Sequence, residues 1–266
     1  METDPRYRGT GVSVDACAAL VQRGDPDRFA AVMAAPVGVR AQLFPLYAFN
    51  LEVARAPWVT EEPLIAEMRL QWWRDVVENV ASGAARAHEV SGPLHGLISD
   101  FGLPVEVMDR LIAARRWHVH RDGFADQAAL GEYIEATGAG LMWLAARALG
   151  APDQAERVVR DYGWAAGLAG FLRAVPELEA RGRVPLPEGI DLAALAATGL
   201  ERLGAAQAGR RAVPREVTPA LLAGWQAEGI LRQVRADPEA VRGGRLGVSE
   251  FSRRGRLLWQ AFSGRW

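Results

Sequence analysis

Pro63-Leu-Ile-Ala-Glu-Met-Arg-Leu-Gln-Trp-Trp-Arg-Asp-Val-Val-Glu-Asn-Val-Ala-Ser-Gly83 sets Ile65, Met68, Trp72, Val76 and Val80 three or four residues apart. That interval follows the α-helical turn, so the five side chains share a face and the stretch is predicted to be a long amphipathic helix. The same period recurs from Leu130 to Gly150, where Ile134, Thr137, Leu141, Leu144 and Ala148 form a second stripe. Gly150 followed by Pro152 supplies its stop. A further helix is predicted from about Ala155 to Arg173; its second half is rich in Ala and Gly, which lets neighbouring backbones approach closely.

Outward from these helices the punctuation agrees. Asp25-Pro26 and Thr218-Pro219 each place a capping side chain before a proline suited to the first helical turn. Arg181 to Asp191 is rich in Pro and Gly and is predicted to be a loop, with Ala205 to Arg215 and Pro238 to Gly247 as further candidates. No series of short alternating strands bounded by hairpin signals occurs, and no repeat of about 20 to 50 residues. The expectation is an all-α fold with residues 1–266 in a single domain and 1–14 flexible.

Composition narrows the function classes. Half of the 266 residues are hydrophobic and 24% are charged, enough to bury a sizeable interior. The formal charge of -1 gives no basic field for nucleic acid, and no motif that reads it is present. No lysine occurs, so every Lys-or-Arg cation is arginine, which we read as genome base bias. Cys17, the single cysteine, offers neither an internal disulfide nor a multi-cysteine metal site, and a reduced cytoplasm fits. The N-terminal residues lack the apolar run of a secretory signal. No stretch of about 18 apolar residues occurs, so any membrane contact is expected to be peripheral, on the inner membrane of a cytoplasmic protein.

Two stretches carry a family resemblance. Arg40-Ala-Gln-Leu-Phe-Pro-Leu-Tyr-Ala-Phe49 resembles the Arg-x-x-Leu-x-x-Leu-Tyr-Ala-Phe signature of squalene/phytoene synthases, and Gly182-Arg-Val-Pro-Leu-Pro187 resembles their Gly-Arg-Val-Tyr-Leu-Pro. Leu130, Tyr133, Gly138 and Leu141 are similar to the central helix of that family, and Phe171-Leu-Arg173 to its Ile-Leu-Arg. The resemblance implies an isoprenoid-synthase-type helical bundle around a central apolar cavity. It also implies two helices bearing aspartates one turn apart, which hold the magnesium that binds a diphosphate substrate. Carboxylates at that spacing share a helix face and can share a hard cation.

This sequence departs from that pattern where the chemistry needs it. The first motif reads Asn50-Leu-Glu-Val-Ala-Arg-Ala-Pro-Trp58, with Ala54, Arg55 and Trp58 at the aspartate positions. In the second, Gly170-Phe-Leu-Arg-Ala-Val-Pro-Glu-Leu178, Ala174 and Leu178 replace the aspartates, Gly170 replaces an asparagine, and Glu177 is the acid that remains. An arginine at a metal-binding position opposes a dication. Asp122 and Asp126, the nearest helically spaced acidic pair, read as solvated carboxylates because Gly123 lies between them.

Phe49-Asn-Leu-Glu-Val-Ala54, Met68-Arg-Leu-Gln-Trp-Trp-Arg74 and Leu172-Arg-Ala-Val-Pro176 resemble the branch that includes the mitochondrial respiratory complex I assembly factor with a phytoene-synthase-like domain. That branch also lacks the aspartates. The resemblance therefore implies a bacterial, non-catalytic assembly or interaction factor, with no cofactor and with complex I subunits or an isoprenoid or lipid ligand as partner. Two alternatives stay open: an active head-to-head transferase of farnesyl or geranylgeranyl diphosphate, which would need Mg2+, and an isoprenoid or lipid carrier.

Several residues bear two readings. Arg40, Tyr47, Asn50, Arg173, Glu177 and Arg183 form a candidate residual anion or ligand site; the arginines among them, with Arg181, equally fit ion pairs between helices. Trp72 and Trp73 fit either a prenyl pocket wall or ordinary core. His118 and His120 would converge on a metal in a strand but diverge on a helix. The C-terminal stretch Arg253-Arg-Gly-Arg-Leu-Leu-Trp-Gln-Ala-Phe-Ser-Gly-Arg-Trp266 fits both an anionic membrane surface and a last helix closing the bundle.

Overall fold

A computed structural model describes residues 14–82, 88–120, 122–247 and 250–266, excluding the side chains of 81–82 and 250–254. The N-terminal segment, the expected helix end at Gly83 and the side chains of Arg253 and Arg254 lie outside the described residues. Helices follow one another as α1 (Val14–Gly24), α2 (Pro26–Ala34), α3 (Arg40–Arg55), α4 (Pro63–Glu78), α5 (Ser91–Phe101), α6 (Val105–Ala114) and α7 (Gln127–Ile134). The series continues with α8 (Gly140–Ala148), α9 (Glu156–Ala180), α10 (Leu192–Ala208), α11 (Thr218–Leu221), α12 (Ala227–Ala236), α13 (Glu239–Arg242) and α14 (Glu250–Ser263). No strand occurs among the described residues. Most buried apolar side chains form one continuous cluster, with a smaller one of Ala31, Ala35, Leu222, Trp225 and Leu257 beside it, and the bundle is a single helical domain.

At the centre lies α9, which packs against α8, α10 and α12. Small residues make that position available. A Cβ on Gly138 would stand 2.7 Å from the Cα of Gly167, and one on Gly163 2.9 Å from the Cα of Ala139. Side chains there would hold the helices apart, so the predicted close approach is realised backbone to backbone. The stripe Ile134, Thr137, Leu141, Leu144, Ala148 is buried throughout. Between α7 and α8, Glu135–Ala139 widens into a π-helical turn, a register change that bends the long helix. Arg160 of α9 and Arg202 of α10 reach Glu135 at 3.2 and 3.4 Å, tying the turn to both neighbours.

Asp25 caps α2 as predicted, its carboxylate accepting from the Arg28 amide at 3.0 Å with Pro26 in the first turn. The loop over 181–191 also stands, ending at Asp191, which caps α10 through the Ala194 amide. Thr218 is a correction: no side-chain cap forms, because a 3₁₀ turn at Arg215–Val217 already leads into α11 and the hydroxyl donates instead to the Arg215 carbonyl. Two expected loops shrink as well, since α10 runs on to Ala208 and α13 occupies part of 238–247. Helix α9 also passes Arg173 and carries Pro176 within it before ending at Ala180.

In α4 the expected face is corrected in part: Val76 is buried and Trp72 and Val80 pack against the core, but the first turns of the stripe are not covered. Ile65 and Met68 are 47% and 63% exposed, whereas Ala66, Leu70, Trp73 and Val77 are buried. Both sets keep helical spacing, so periodicity allowed either, and contact with α6 selects the second. Trp73 is core, edge-on to Phe49 at 5.5 Å, and Trp72 stands edge-on to it at 4.7 Å. Neither indole lines the central cavity.

Candidate functional site

A cavity of ≈ 340 Å³ opens between α2, α3, α7, α9 and α12. Its wall is apolar along Ile134, Phe171, Leu178 and Ile230, and its other side is strongly polar, with Asp25, Asp27, Arg28, Asn50, Arg115, His118, Tyr133 and Arg173.

Neither carboxylate is available to a cation. Asp25 is held by its own helix through the Arg28 amide and also by the Arg28 guanidinium. Asp27 accepts from Arg173 Nη1 of α9 at 2.8 Å, an ion pair that joins two helices across the rim. With Arg115 the lining carries three guanidinium groups against two carboxylates. Hard divalent cations need several free oxygen ligands. No group of three or more His, Cys, Asp or Glu able to hold a metal occurs among the described residues. The donor set does not fit magnesium.

Four side chains on three elements, Asn50 of α3, Tyr133 of α7, and Arg115 and His118 of the 3₁₀ turn after α6, form a hydrogen-bonded cluster. Arg115 Nη1 donates to the Tyr133 hydroxyl at 2.8 Å, Arg115 Nη2 to Asn50 Oδ1 at 3.1 Å, and His118 Nε2 lies 2.8 Å from the same hydroxyl. Arginine only donates, so the Tyr133 oxygen accepts from it, and the imidazole tautomer sets the direction of the bond between the hydroxyl and His118 Nε2. Burial, followed by the positive fields of Arg115 and Arg183, pushes the His118 pKa down to about 3, which keeps the ring neutral. His118 Nδ1 and Arg115 Nε are buried and have no hydrogen-bond partner. An unmet buried donor such as that of Arg115 is costly, and an acceptor entering here would relieve that cost.

Of the five positions at which the family pattern expects aspartates, 54, 55, 58, 174 and 178, three come together. Trp58, Ala174 and Leu178 line one recess of ≈ 170 Å³ with Glu177 and Arg181. There the Trp58 ring receives the guanidinium carbons of Arg181 and Arg183 at 5.0 and 4.8 Å from its centroid. Each such cation–π contact contributes about 0.5 to 2 kcal/mol. Arg55 points into solvent, its nearest acid being Glu52 at 3.9 Å. Aromatic and cationic groups thus stand where two metal-binding motifs would face one another.

The other sequence candidates scatter. Asn50 and Arg173 line the main cavity; Arg40, Tyr47, Glu177 and Arg183 do not. Arg40 donates to the carbonyls of Met33 and Ala35 at 2.7 and 3.3 Å, so it terminates α2. Tyr47 is buried beneath Arg28, 5.7 Å from its ring centroid, and burial pushes its phenol up to about 12. Glu177 pairs with Arg181 at 2.5 Å. His118 and His120 part company, the latter lying 3.3 Å from Glu67. Asp126 caps α7 through the Ala129 amide at 2.8 Å, and Asp122 is exposed. Sequence reasoning missed Asp27, Arg28 and Arg115 in the cavity, and gave Asp25 only its capping role. The capping pattern at Asp25 was the one local signal.

Comparison with known proteins follows the same lines. The squalene/phytoene synthase family model matches residues 21–190, well over half of the sequence. The chain belongs to the squalene/phytoene synthase family. Complex I assembly factor 6 of Bos taurus is 27% identical over 172 residues, 64% of this chain and 52% of that protein. The Drosophila melanogaster homolog is 30% identical over 174 residues, 62% of this chain and 52% of its own length. The chain spans about half the length of these relatives. Among solved structures, a dehydrosqualene synthase superposes with a TM-score of 0.78 at 15% identity, covering 94% of this chain and 95% of that one. Squalene synthase HpnC from Alicyclobacillus acidocaldarius gives 0.69 at 19%, covering 88% and 95%. At these identities the likeness establishes the isoprenoid-synthase fold.

Proposed function

We propose that this chain is a non-catalytic member of its family that acts in the biogenesis of respiratory complex I. One observation carries the reading: Trp58, Ala174 and Leu178 stand in a recess whose one carboxylate, Glu177, is paired with Arg181, and the two acids of the cavity are already held by Arg28 and Arg173. A diphosphate leaving group needs divalent cations opposite it, and nothing in the lining seats them. The curated relatives named as complex I assembly factors favour a role in assembly.

Purified protein incubated with farnesyl or geranylgeranyl diphosphate and Mg2+ is expected to release no diphosphate. Robust turnover would return the chain to head-to-head prenyl transfer. A tagged copy recovered from its native cells is expected to bring with it subunits of the NADH dehydrogenase.

The unmet donor of Arg115, beside the unpartnered His118 Nδ1, favours a second reading in which the cavity carries an isoprenoid or lipid with a polar head. Organic extraction of the same preparation separates the two. A stoichiometric lipid without protein partners would place carriage ahead of assembly.

A further inference from the structure

Large apolar side chains that remain exposed among the described residues gather in few places, and α14 holds the most exposed of them. Leu258 is 65%, Trp259 54% and Phe262 90% exposed. At positions i, i+1 and i+4 they fall within one arc of the helix. The other side of α14 is already used: Leu257 is buried in a cluster with Ala31, Ala35, Leu222 and Trp225, and Ala261 packs against it. Closing the bundle therefore accounts for Leu257 and Ala261 and leaves a second apolar face without a role. That face has a neighbour. Met33 and Val37, 44% and 64% exposed, belong to the segment around α2 on which α14 rests. A groove lined by Ala34, Pro36 and Val39 together with Glu216, Ala261 and Arg265 lies between the α2 segment and α14.

Charge narrows the occupant. Residues 250–266 contain four arginines and one acid, Glu250. Among the described side chains, Arg256 pairs with Glu228 at 2.6 Å, while Arg265 is exposed and lies 5.9 Å from the Trp259 centroid. Arginine beside tryptophan and phenylalanine suits the headgroup layer of a bilayer, where the rings enter the acyl boundary and the guanidinium meets phosphate. Helix α14 has 14 residues. At about 1.5 Å per residue it falls short of the roughly 30 Å of a hydrocarbon core, so it would lie in the plane of the interface. No helix among the described residues is long and apolar enough to cross a membrane.

We infer that α14, with the exposed Met33 and Val37, docks this protein onto an anionic lipid bilayer. The inference is independent of what the central cavity holds. Its test uses the full chain and two sets of vesicles, phosphatidylcholine alone and phosphatidylcholine with phosphatidylglycerol, followed by sedimentation. Binding is expected to the anionic vesicles and to weaken as salt is raised. The triple substitution Leu258→Ser, Trp259→Ser, Phe262→Ser removes side chains that the fold leaves exposed. It is expected to keep the circular dichroism and melting temperature of the parent and to lose binding by about tenfold or more. Arg265→Glu is expected to weaken binding to anionic vesicles specifically. Equal binding to both vesicle types, no binding to either, or a dimer in light scattering that the triple variant disperses would each overturn the proposal.

Discussion

Held between Tyr133, Trp58 and Trp117, the imidazole of His118 stays neutral in the folded chain, with its pKa lowered to about 3 from 6.5 by burial and by the neighbouring guanidinium groups. In the unfolded chain it protonates near the ordinary value. Between those limits the unfolded state binds a proton that the native state refuses, so stability is whole above pH 6.5 and falls as pH drops towards about 3. At about pH 5 the loss is about 2 kcal/mol. Urea unfolding near neutral pH and at about pH 5 is expected to show a smaller acid-induced loss for His118→Gln than for the parent; equal losses would assign the effect elsewhere. Little of this was legible beforehand. Asn50 and Tyr133 stand 65 and 18 residues from the Arg115 they bond, and no local spacing joins partners so far apart. That none of positions 54, 55, 58, 174 and 178 is an aspartate is read directly from the sequence, because a helical motif fixes its own register. Where the surrounding arginines would turn is not.

Helices α7, α8 and α9 owe their approach to three glycines, and the expected effects of adding a methyl group differ between positions. Gly138→Ala places a Cβ 2.7 Å from the Cα of Gly167, which only backbone movement can relieve. A loss of about 1 to 3 kcal/mol is expected, the usual cost of overpacking. Gly170→Ala lies on the same α9, with nothing within 4 Å of the new Cβ, and is expected to stabilise by about 0.5 to 1 kcal/mol through the unfolded chain. Equilibrium unfolding of both variants checks the contrast, and a neutral Gly138→Ala would mean that the helices can separate freely. The small residues announced this contact in the sequence. The π turn did not announce itself, since a register change of one residue within a stripe still buried from Ile134 to Ala148 leaves the apolar pattern intact. The face of α4 was ambiguous for a related reason, two interleaved stripes fitting one helix.

Across the whole molecule, the all-α fold followed from periodicity and the family from its signatures, whereas the composition of the cavity depended on α2 and α9 meeting at Asp27 and Arg173, which are 146 residues apart. Trp58→Asp tests how far the site stands from metal binding. The new carboxylate would face Arg181 and Arg183, so no magnesium-dependent rise in melting temperature is expected; such a rise, through preferential binding to the native state, would show a cation seated there. The Trp58 ring also sets what installing a metal site by design would require: its contacts with two guanidinium groups given up, Ala174 and Leu178 made carboxylates, and Asp25 and Asp27 freed from their arginines. A single substitution at any one of these positions leaves the other ligands missing, so seating a cation is a change of many sites at once.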